Sequence, residues 1–289
     1  MPVTIETINL VGNRQKILFY RDIVYATARS QDLSPATYSI RRYSDYPDKE
    51  EGSLMKELPE WYYNEFQQIG TDYSDREEIL KYDRKMGTIR NIAREAETMI
   101  KLIDIQPEHS ILEIGCGTGE FSIELSKYCA QVLALDISQG MLDFAMDKAK
   151  VRGRNNVDFE KAGFLTFDPD ERIFDTVISQ LVLHHLPDFW KLIALKNINS
   201  MLKDGGKFYL KDVVYSSDTP DFDPFFSQTL QNLPPGAGDD MRYDIILHIK
   251  KEFSTFDWIM EELIEKAGFR IEEAIYKNGF MATYLCIKV

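Results

Sequence analysis

A glycine-rich loop, Gly115-Cys116-Gly117-Thr118-Gly119, constrains this chain more than any other feature of its sequence. It directly follows the apolar run Ser110–Ile114, which predicts a strand, and it precedes a segment whose apolar residues have helical spacing. Because glycine has no Cβ atom, the backbone can turn tightly there and approach a ligand closely at the start of the helix. The loop therefore predicts either a nucleotide-type site at the end of a strand or a purely structural turn.

Beyond about residue 105, short β-branched runs alternate with amphipathic helical stretches, a pattern typical of an α/β sheet with parallel strands. A last pair of strands flanks Asn278-Gly279, which is a hairpin signal. We therefore expect a mostly parallel sheet that is closed by an antiparallel hairpin. The strands predicted after the first are 131–136, 156–159, 174–179, 207–214 (after a turn at 203–206), 270–276 and 282–288.

Three helices have clear signals in the sequence. One is expected over 86–103, and a second should begin after Ser138 and bury Met146 among other residues. A third should be capped by Ser254, with Asp257 three residues on, and should end at Gly268.

The chain divides into two predicted regions. Residues 1–80 are rich in tyrosine and charge and are expected to form a helical cap, with a helix at 15–29 and a lid at 35–60. Residues 81–289 should form the ligand-binding α/β domain. Within that domain, 215–253 is a long insertion rich in aromatic residues.

Asp136 ends the predicted second strand, 21 residues after Gly115. An acid at this place can accept hydrogen bonds from the two hydroxyls of a ribose, although it could also cap the following helix. A glycine loop combined with an acid at this distance fits two ligands, a dinucleotide and S-adenosylmethionine. The dinucleotide pattern G-x-G-x-x-G/A is not met, because the third glycine comes one residue early and Glu120 stands where a small residue should be. A sulfonium nucleoside carries no phosphate, so acidic residues near the loop favour it.

The run Ile111–Gly119 resembles motif I of class I S-adenosylmethionine-dependent methyltransferases. The similarity extends over about 82–289 and points to the small-molecule branch that includes the type 11 and ubiquinone/menaquinone-biosynthesis enzymes. It implies a Rossmann-like class I methyltransferase fold with a seven-stranded sheet, and methyl transfer to a small molecule through an O, N, S or C acceptor. The other segments that carry the resemblance are 135–142, 174–186, 202–207 and 267–269.

The resemblance also implies a set of cofactor-binding residues. One departure matters, because many members have Gly-Asp after the third strand to hold the adenine amino group, whereas this chain has Gly163-Phe164. Adenine would then be held by stacking and backbone contacts. The implied residues are Tyr82, Glu113, Gly115, Cys116, Gly117, Gly119, Asp136, Ile137, Met141, Gly163, Phe164 and Gln180.

His184, His185 and Asp212 are the candidate catalytic residues. They follow or end strands at the carboxyl edge of the sheet, where ligands bind, so one could take a proton from the acceptor. The alternative is that they only pack and hydrogen-bond within the loop. An insertion such as 215–253 usually forms the acceptor pocket; the alternative is a surface excursion with its own small core. No metal site is expected, because Asp239 and Asp240 lack an arranged third ligand.

The charge and composition of the chain exclude several kinds of binding partner. The net charge of −13 repels phosphate backbones, so nucleic acid is not expected, and no apolar run approaches the roughly 20 residues of a membrane span. Three widely spaced cysteines and an N-terminus without a secretory signal indicate the cytoplasm. We expect a small-molecule substrate and a homodimer. Two alternatives stay open: a non-catalytic S-adenosylmethionine-binding sensor or scaffold, and an NAD-dependent oxidoreductase.

Overall fold

The computed structural model describes residues 59–67, 76–233 and 238–289 of the chain. The helix expected at 15–29 and nearly all of the lid at 35–60 lie outside these residues, so the cap over 1–80 stays a prediction. The fold described below belongs to the compact unit Trp61–Val289.

A single mixed sheet forms the centre of this unit. Its strands are β1 Ser110–Ile114, β2 Gln131–Asp136, β3 Val157–Lys161, β4 Phe174–Gln180, β5 Leu202–Tyr215, β6 Thr255–Phe256 (paired only with β5), β7 Phe269–Lys277 and β8 Met281–Lys288. They lie in the order β3-β2-β1-β4-β5-β8-β7. Neighbouring strands from β3 to β5 are parallel, whereas β8 runs antiparallel to both β5 and β7. The mostly parallel sheet with a C-terminal hairpin is therefore confirmed.

Helices cover both faces of the sheet, because successive strand residues point to opposite sides. They are α1 Arg76–Ile89, α2 Ile92–Ile103, α3 Glu120–Leu125, α4 Gln139–Val151, α5 Asp188–Met201, α6 Phe222–Gln231, α7 Gly238–Lys251 and α8 Asp257–Lys266. Leu112 and Leu133 belong to one buried cluster, with residues of α5 and α8, whereas Ile111 and Val132 belong to another, with residues of α2, α3 and α4. No helix among the described residues is long and apolar enough to cross a membrane.

The order of the strands creates a crevice. β1 lies between β2 and β4, so the strands after β1 are added first on one side of it (β2, β3) and then on the other (β4, β5). In open α/β sheets, ligands bind in the crevice beyond the carboxyl ends of the strands at such a point. The glycine loop follows β1 and therefore lies at this crevice.

Three expectations about helices were wrong. The helix expected over 86–103 is two helices, because the Asn91 side chain accepts a hydrogen bond from the Arg94 N–H and starts α2 anew. Ser254 does not cap α8: residues 255–256 pair with β5 first, so α8 begins only at Asp257. Met146 is 42% exposed, because it lies on the solvent side of α4.

Glycines explain two further features of the sheet. The turn expected at 203–206 is an irregularity inside β5, where the pairing with β4 jumps from Phe174↔Leu202 to Thr176↔Lys207 and Gly205 has a φ of +72°. The hairpin turn between β7 and β8 is confirmed. Three residues, 278–280, separate the paired Lys277 and Met281, and Asn278 and Gly279 both have positive φ, a conformation that asparagine and glycine tolerate.

Candidate functional site

The glycine loop is held tightly against the ends of β1 and β2. Gly115, Gly117 and Gly119 all have positive φ, and the N–H groups of Gly115 and Cys116 donate to the Leu135 carbonyl at 2.8 and 2.9 Å. A Cβ atom on Gly115 would lie 2.2 Å from a methyl group of Val182. The loop thus depends on glycine both for its backbone conformation and for its close approach to the segment after β4.

Asp136 lies beside this loop and joins it to the start of α4. Its Oδ2 accepts from the Gly117 N–H at 2.8 Å and its Oδ1 accepts from the Ser138 N–H at 2.9 Å. The N-cap of α4 is Ser138, whose side chain accepts from the Met141 N–H. Each carboxylate oxygen keeps a further lone pair, so Asp136 can still accept two hydrogen bonds from a ligand.

Two adjoining cavities open around the loop, with volumes of about 710 and 1060 Å³. Both are lined by Tyr82, Gly115, Gly117 and Gln180. All of the cofactor-binding residues implied by the resemblance line one cavity or the other except Gly119, which instead packs against α4, where a Cβ would lie 2.7 Å from that of Ala145. Of the remaining predicted residues, two line the smaller cavity, Glu113 and Cys116. The others line the larger cavity: Asp136, Ile137, Met141, Gly163 and Phe164.

A charged cluster lies at the smaller cavity. Glu113 is only 3% exposed, and Ser122 donates a hydrogen bond to it. Burial raises the pKa of Glu113 to about 7, against the opposing effects of Ser122 and of the Arg90 charge. Arg90 itself forms a two-point ion pair with Glu95 and donates to Gln180 Oε1 at 3.2 Å. The sequence did not single out Arg90, which lies in the unexpected break between α1 and α2.

Glu120 is engaged elsewhere. Arg152 binds both of its carboxylate oxygens at 2.7 Å, and Lys148 lies 2.9 Å from one of them. Two cations therefore neutralise one of the acidic residues that were expected to favour a ligand without phosphate. The spacing of the glycines still argues against a dinucleotide, but the electrostatic reason is weaker than the sequence indicated.

Glu65 is a buried carboxylate that the sequence did not identify. It lines the larger cavity, and its Oε1 accepts from the Leu165 N–H at 3.0 Å and from Thr166 Oγ1 at 2.7 Å. Its Oε2 occupies the space over Gly163, where a Cβ atom would lie only 2.4 Å away. Burial raises the pKa of Glu65, although these hydrogen bonds partly offset the effect. Gly163 thus leaves room for a carboxylate from a distant part of the chain.

The three predicted catalytic residues lie together at the end of β4 and in β5. Asp212 is fully buried and contacts Nδ1 of His184, while Nε2 of His184 lies 3.2 Å from Glu252. Burial alone would lower the pKa of His184, but the two carboxylates raise it to about 9. His185 faces the larger cavity, and its pKa falls to about 4 through desolvation and the neighbouring His184 charge.

Aromatic side chains line the far part of the larger cavity. Tyr215, Phe225, Phe226 and Phe280 all contribute to its wall. The Phe226 ring lies 5.2 Å from that of Phe225 and 5.6 Å from that of Tyr215, measured between centroids. These residues come from the end of β5, from α6 and from the β7–β8 hairpin, so the insertion and the hairpin meet at this wall.

Comparison with known proteins agrees with this geometry. Residues 111–206 match the family model described as a methyltransferase domain. A demethylmenaquinone methyltransferase of Lactococcus lactis is 27% identical over 77% of this chain and 88% of its own length. A phosphoethanolamine N-methyltransferase of wheat is 31% identical over 49% of this chain but only 29% of its own length. An S-adenosylmethionine-dependent methyltransferase of Clostridium acetobutylicum has the same fold, with a TM-score of 0.56 at 16% identity over 73% of this chain and 98% of its own.

The sheet order, the glycine loop and the matched domain together define a class I methyltransferase. The resemblance seen in the sequence is therefore confirmed. The chain is an S-adenosylmethionine-dependent methyltransferase.

Proposed function

We propose that S-adenosylmethionine spans the two cavities across the glycine loop. Its ribose hydroxyls bind Asp136, its adenine lies between Met141 and Phe164, and its methionine part points towards Glu113 and Gln180. The positions of these residues around two adjoining cavities support this arrangement. The carboxylate of Glu113 then faces the positively charged end of the cofactor.

Glu65 takes part in the same proposal. Its carboxylate lies beside Gly163 at the part of the cavity assigned to adenine, and a carboxylate is an acceptor for the exocyclic amino group of that base. The resemblance had left adenine to stacking and backbone contacts alone. A carboxylate supplied by the segment before α1 replaces the missing aspartate after β3.

We expect cofactor affinity to rise with pH because of Glu113. The carboxyl is mostly protonated below its pKa of about 7, and only the carboxylate attracts the cation. Between about pH 6 and 7.5, affinity should increase by up to about eightfold, following the ionised fraction. The dissociation constant of S-adenosylmethionine, measured by calorimetry across this range, checks the expectation.

The controls for this pH dependence are two glutamate substitutions. Glu113→Gln should flatten the profile, since the amide does not ionise. Glu124→Gln removes a carboxylate on α3 that pairs with Lys127, and it should leave the pH profile unchanged. A profile that stays steep in Glu113→Gln would exclude Glu113 as its origin.

The acceptor that the cavity supports best is an uncharged, apolar aromatic molecule. The single observation that carries this is the wall of Tyr215, Phe225, Phe226 and Phe280. Two relatives are named for demethylmenaquinone and phosphoethanolamine, the first an apolar quinone and the second a charged amine. The aromatic wall and the longer match both favour the first kind of acceptor for this chain.

Methyl transfer at this site would depend mainly on positioning. The acceptor atom attacks the methyl carbon in line with the departing sulfur, the carbon–sulfur bond breaks, and S-adenosylhomocysteine leaves. Alignment in a dry cavity can supply on the order of 7–11 kcal/mol. Where the acceptor loses a proton, His185 can receive it, because it is neutral and faces the cavity. His184 cannot, since carboxylates occupy both of its ring nitrogens.

A pair of fluorescent probes tests the acceptor cavity. Neutral N-phenyl-1-naphthylamine should bind and brighten, and Phe226→Ala should weaken its binding by about tenfold or more through lost apolar burial and ring contacts. Phe189→Ala, at a ring that is 64% exposed elsewhere, is the matched control and should have no effect. Tighter binding of the sulfonated, anionic analogue than of the neutral probe, or equal losses in both variants, would refute an uncharged aromatic acceptor.

We further propose that the domain 81–289 works in the cytoplasm, as a homodimer, without binding nucleic acid, with 215–253 as its acceptor-binding insertion. Three buried free thiols support a reducing compartment. The net charge of −13 supports the exclusion of nucleic acid.

A further inference from the structure

Three of the four histidines of the chain meet at one wall of the larger cavity. The ring centroid of His184 lies 4.4 Å from that of His185 and 4.8 Å from that of His248. Glu252, just after α7, contributes a carboxylate to the same place. Its Oε2 lies 3.2 Å from Nε2 of His184 and also contacts Nδ1 of His248. These three ligand-type atoms all lie within 4.8 Å of one another.

The outer nitrogen of each imidazole is already held by a partner. Asp212 contacts Nδ1 of His184, and Ser254 Oγ lies 2.8 Å from Nε2 of His248. These contacts orient both rings so that their other nitrogens point at the Glu252 carboxylate. Histidines that bind a metal almost always hydrogen-bond their second nitrogen to a carboxylate or another polar group in this way.

The spacing also fits a metal. Bonds of about 2.0–2.2 Å in tetrahedral geometry place ligand atoms roughly 3.3–3.6 Å apart. The observed 3.2 Å between His184 and Glu252 is close to this value. The shorter contact with His248 needs only a small shift of that side chain, which projects from α7 and is 17% exposed.

We propose that His184, His248 and Glu252 bind one divalent transition-metal ion of the Zn²⁺ type. Two imidazoles and one carboxylate suit such an ion, whereas Mg²⁺ and Ca²⁺ prefer oxygen ligands alone. The proposal departs from the expectation drawn from the sequence, which considered only Asp239 and Asp240. It does not depend on the methyl-transfer reaction.

Three protein ligands leave a coordination position open, and the cavity is adjacent to it because His184 and His248 line the cavity wall. An oxygen of the acceptor that bound there would lose its proton more readily. This consequence, unlike metal binding itself, rests on the proposed function. The ion would also join α7 of the insertion to the segment after β4.

Cobalt titration tests the proposal. The full-length protein, freed of metal with a chelator, should bind one Co²⁺ with the intense visible absorption of a tetrahedral site, and Zn²⁺ should displace it. Loss of an outer-shell partner costs about 10–100-fold in metal affinity, so Ser254→Ala should weaken binding by that much. Loss of a ligand in Glu252→Gln or His248→Gln should weaken it by at least about 100-fold.

His109→Gln is the matched control, because His109 is the remaining histidine and lies in the loop before β1, where its Nδ1 accepts from the Gln106 N–H. Its metal affinity should equal that of the unchanged protein. Stabilisation of each variant by S-adenosylmethionine, measured in parallel, shows that it is folded and separates this proposal from the cofactor assignment. Absence of stoichiometric Co²⁺ binding, or wild-type affinity in His248→Gln, would overturn the proposal and leave a cluster joined by hydrogen bonds only.

Discussion

Replacement of Asp136 by alanine should weaken S-adenosylmethionine binding by at least about 100-fold. The substitution removes the two oxygens assigned to the ribose hydroxyls, and each hydrogen bond to a charged group contributes about 1.5–3 kcal/mol. It also removes the acceptor for the Gly117 and Ser138 N–H groups, so the glycine loop becomes less ordered for the cofactor. Calorimetric titration gives the dissociation constant directly.

Asp143→Ala is the matched control for that experiment, since Asp143 is an exposed aspartate on α4 whose partner is the Gln139 side chain. Its cofactor affinity should not change. Asp136→Asn adds a finer test, because the amide keeps the shape of the side chain but can no longer accept from both N–H groups. Its affinity for S-adenosylmethionine should fall between that of the unchanged protein and that of Asp136→Ala. A dissociation constant for Asp136→Ala within about threefold of the unchanged protein would refute the ribose assignment.

Gly115→Ala should cost about 2–5 kcal/mol of unfolding free energy, the largest loss of stability expected for a single methyl group here. The φ of +81° accounts for about 1–2 kcal/mol in an L-residue. The contact with Val182, at 2.2 Å from the new Cβ, adds about 1–3 kcal/mol of overpacking. Urea denaturation, compared at unchanged m-value, measures the loss.

Gly153→Ala separates the two contributions, because Gly153 also has a positive φ of +64° but a Cβ there would meet nothing within 4 Å. It should cost only about 1–2 kcal/mol. Where Gly115→Ala alone folds poorly, the double substitution Gly115→Ala with Val182→Ala removes the two methyl contacts at 2.2 and 2.7 Å, leaves only the Cβ of residue 182 at 2.9 Å, and should recover part of the stability. Equal losses at Gly115 and Gly153 would contradict the close approach of the loop to Val182.

Local patterns were sufficient to predict the sheet and the positions of Gly115 and Asp136 at its edge. The strands around Gly115, the position of Asp136 at the end of β2 and the Asn278-Gly279 turn follow from short apolar runs and from backbone conformations that glycine and asparagine favour. Such signals lie within a few residues of one another. They also gave the correct general location of His184 and His185 at the edge of the sheet.

Contacts between distant segments could not be predicted in this way. Glu65 meets Leu165 across 100 residues of sequence, and nothing near Gly163 shows which side chain fills its missing Cβ. The cluster of His184 with Glu252 likewise forms only when α7 folds back to the end of β4. Thr255 illustrates a competition: a capping signal was present, but pairing with β5 delayed the start of the helix.

A ligand comparison tests the central claim most directly. Calorimetric or thermal-shift titration of the full chain with S-adenosylmethionine, S-adenosylhomocysteine and NAD shows which nucleoside the glycine loop accepts. At about a hundredfold its dissociation constant, a bound ligand stabilises the fold by about 2.7 kcal/mol. We expect this stabilisation with S-adenosylmethionine and S-adenosylhomocysteine and none with NAD. Stabilisation by NAD without any by S-adenosylmethionine would contradict the account.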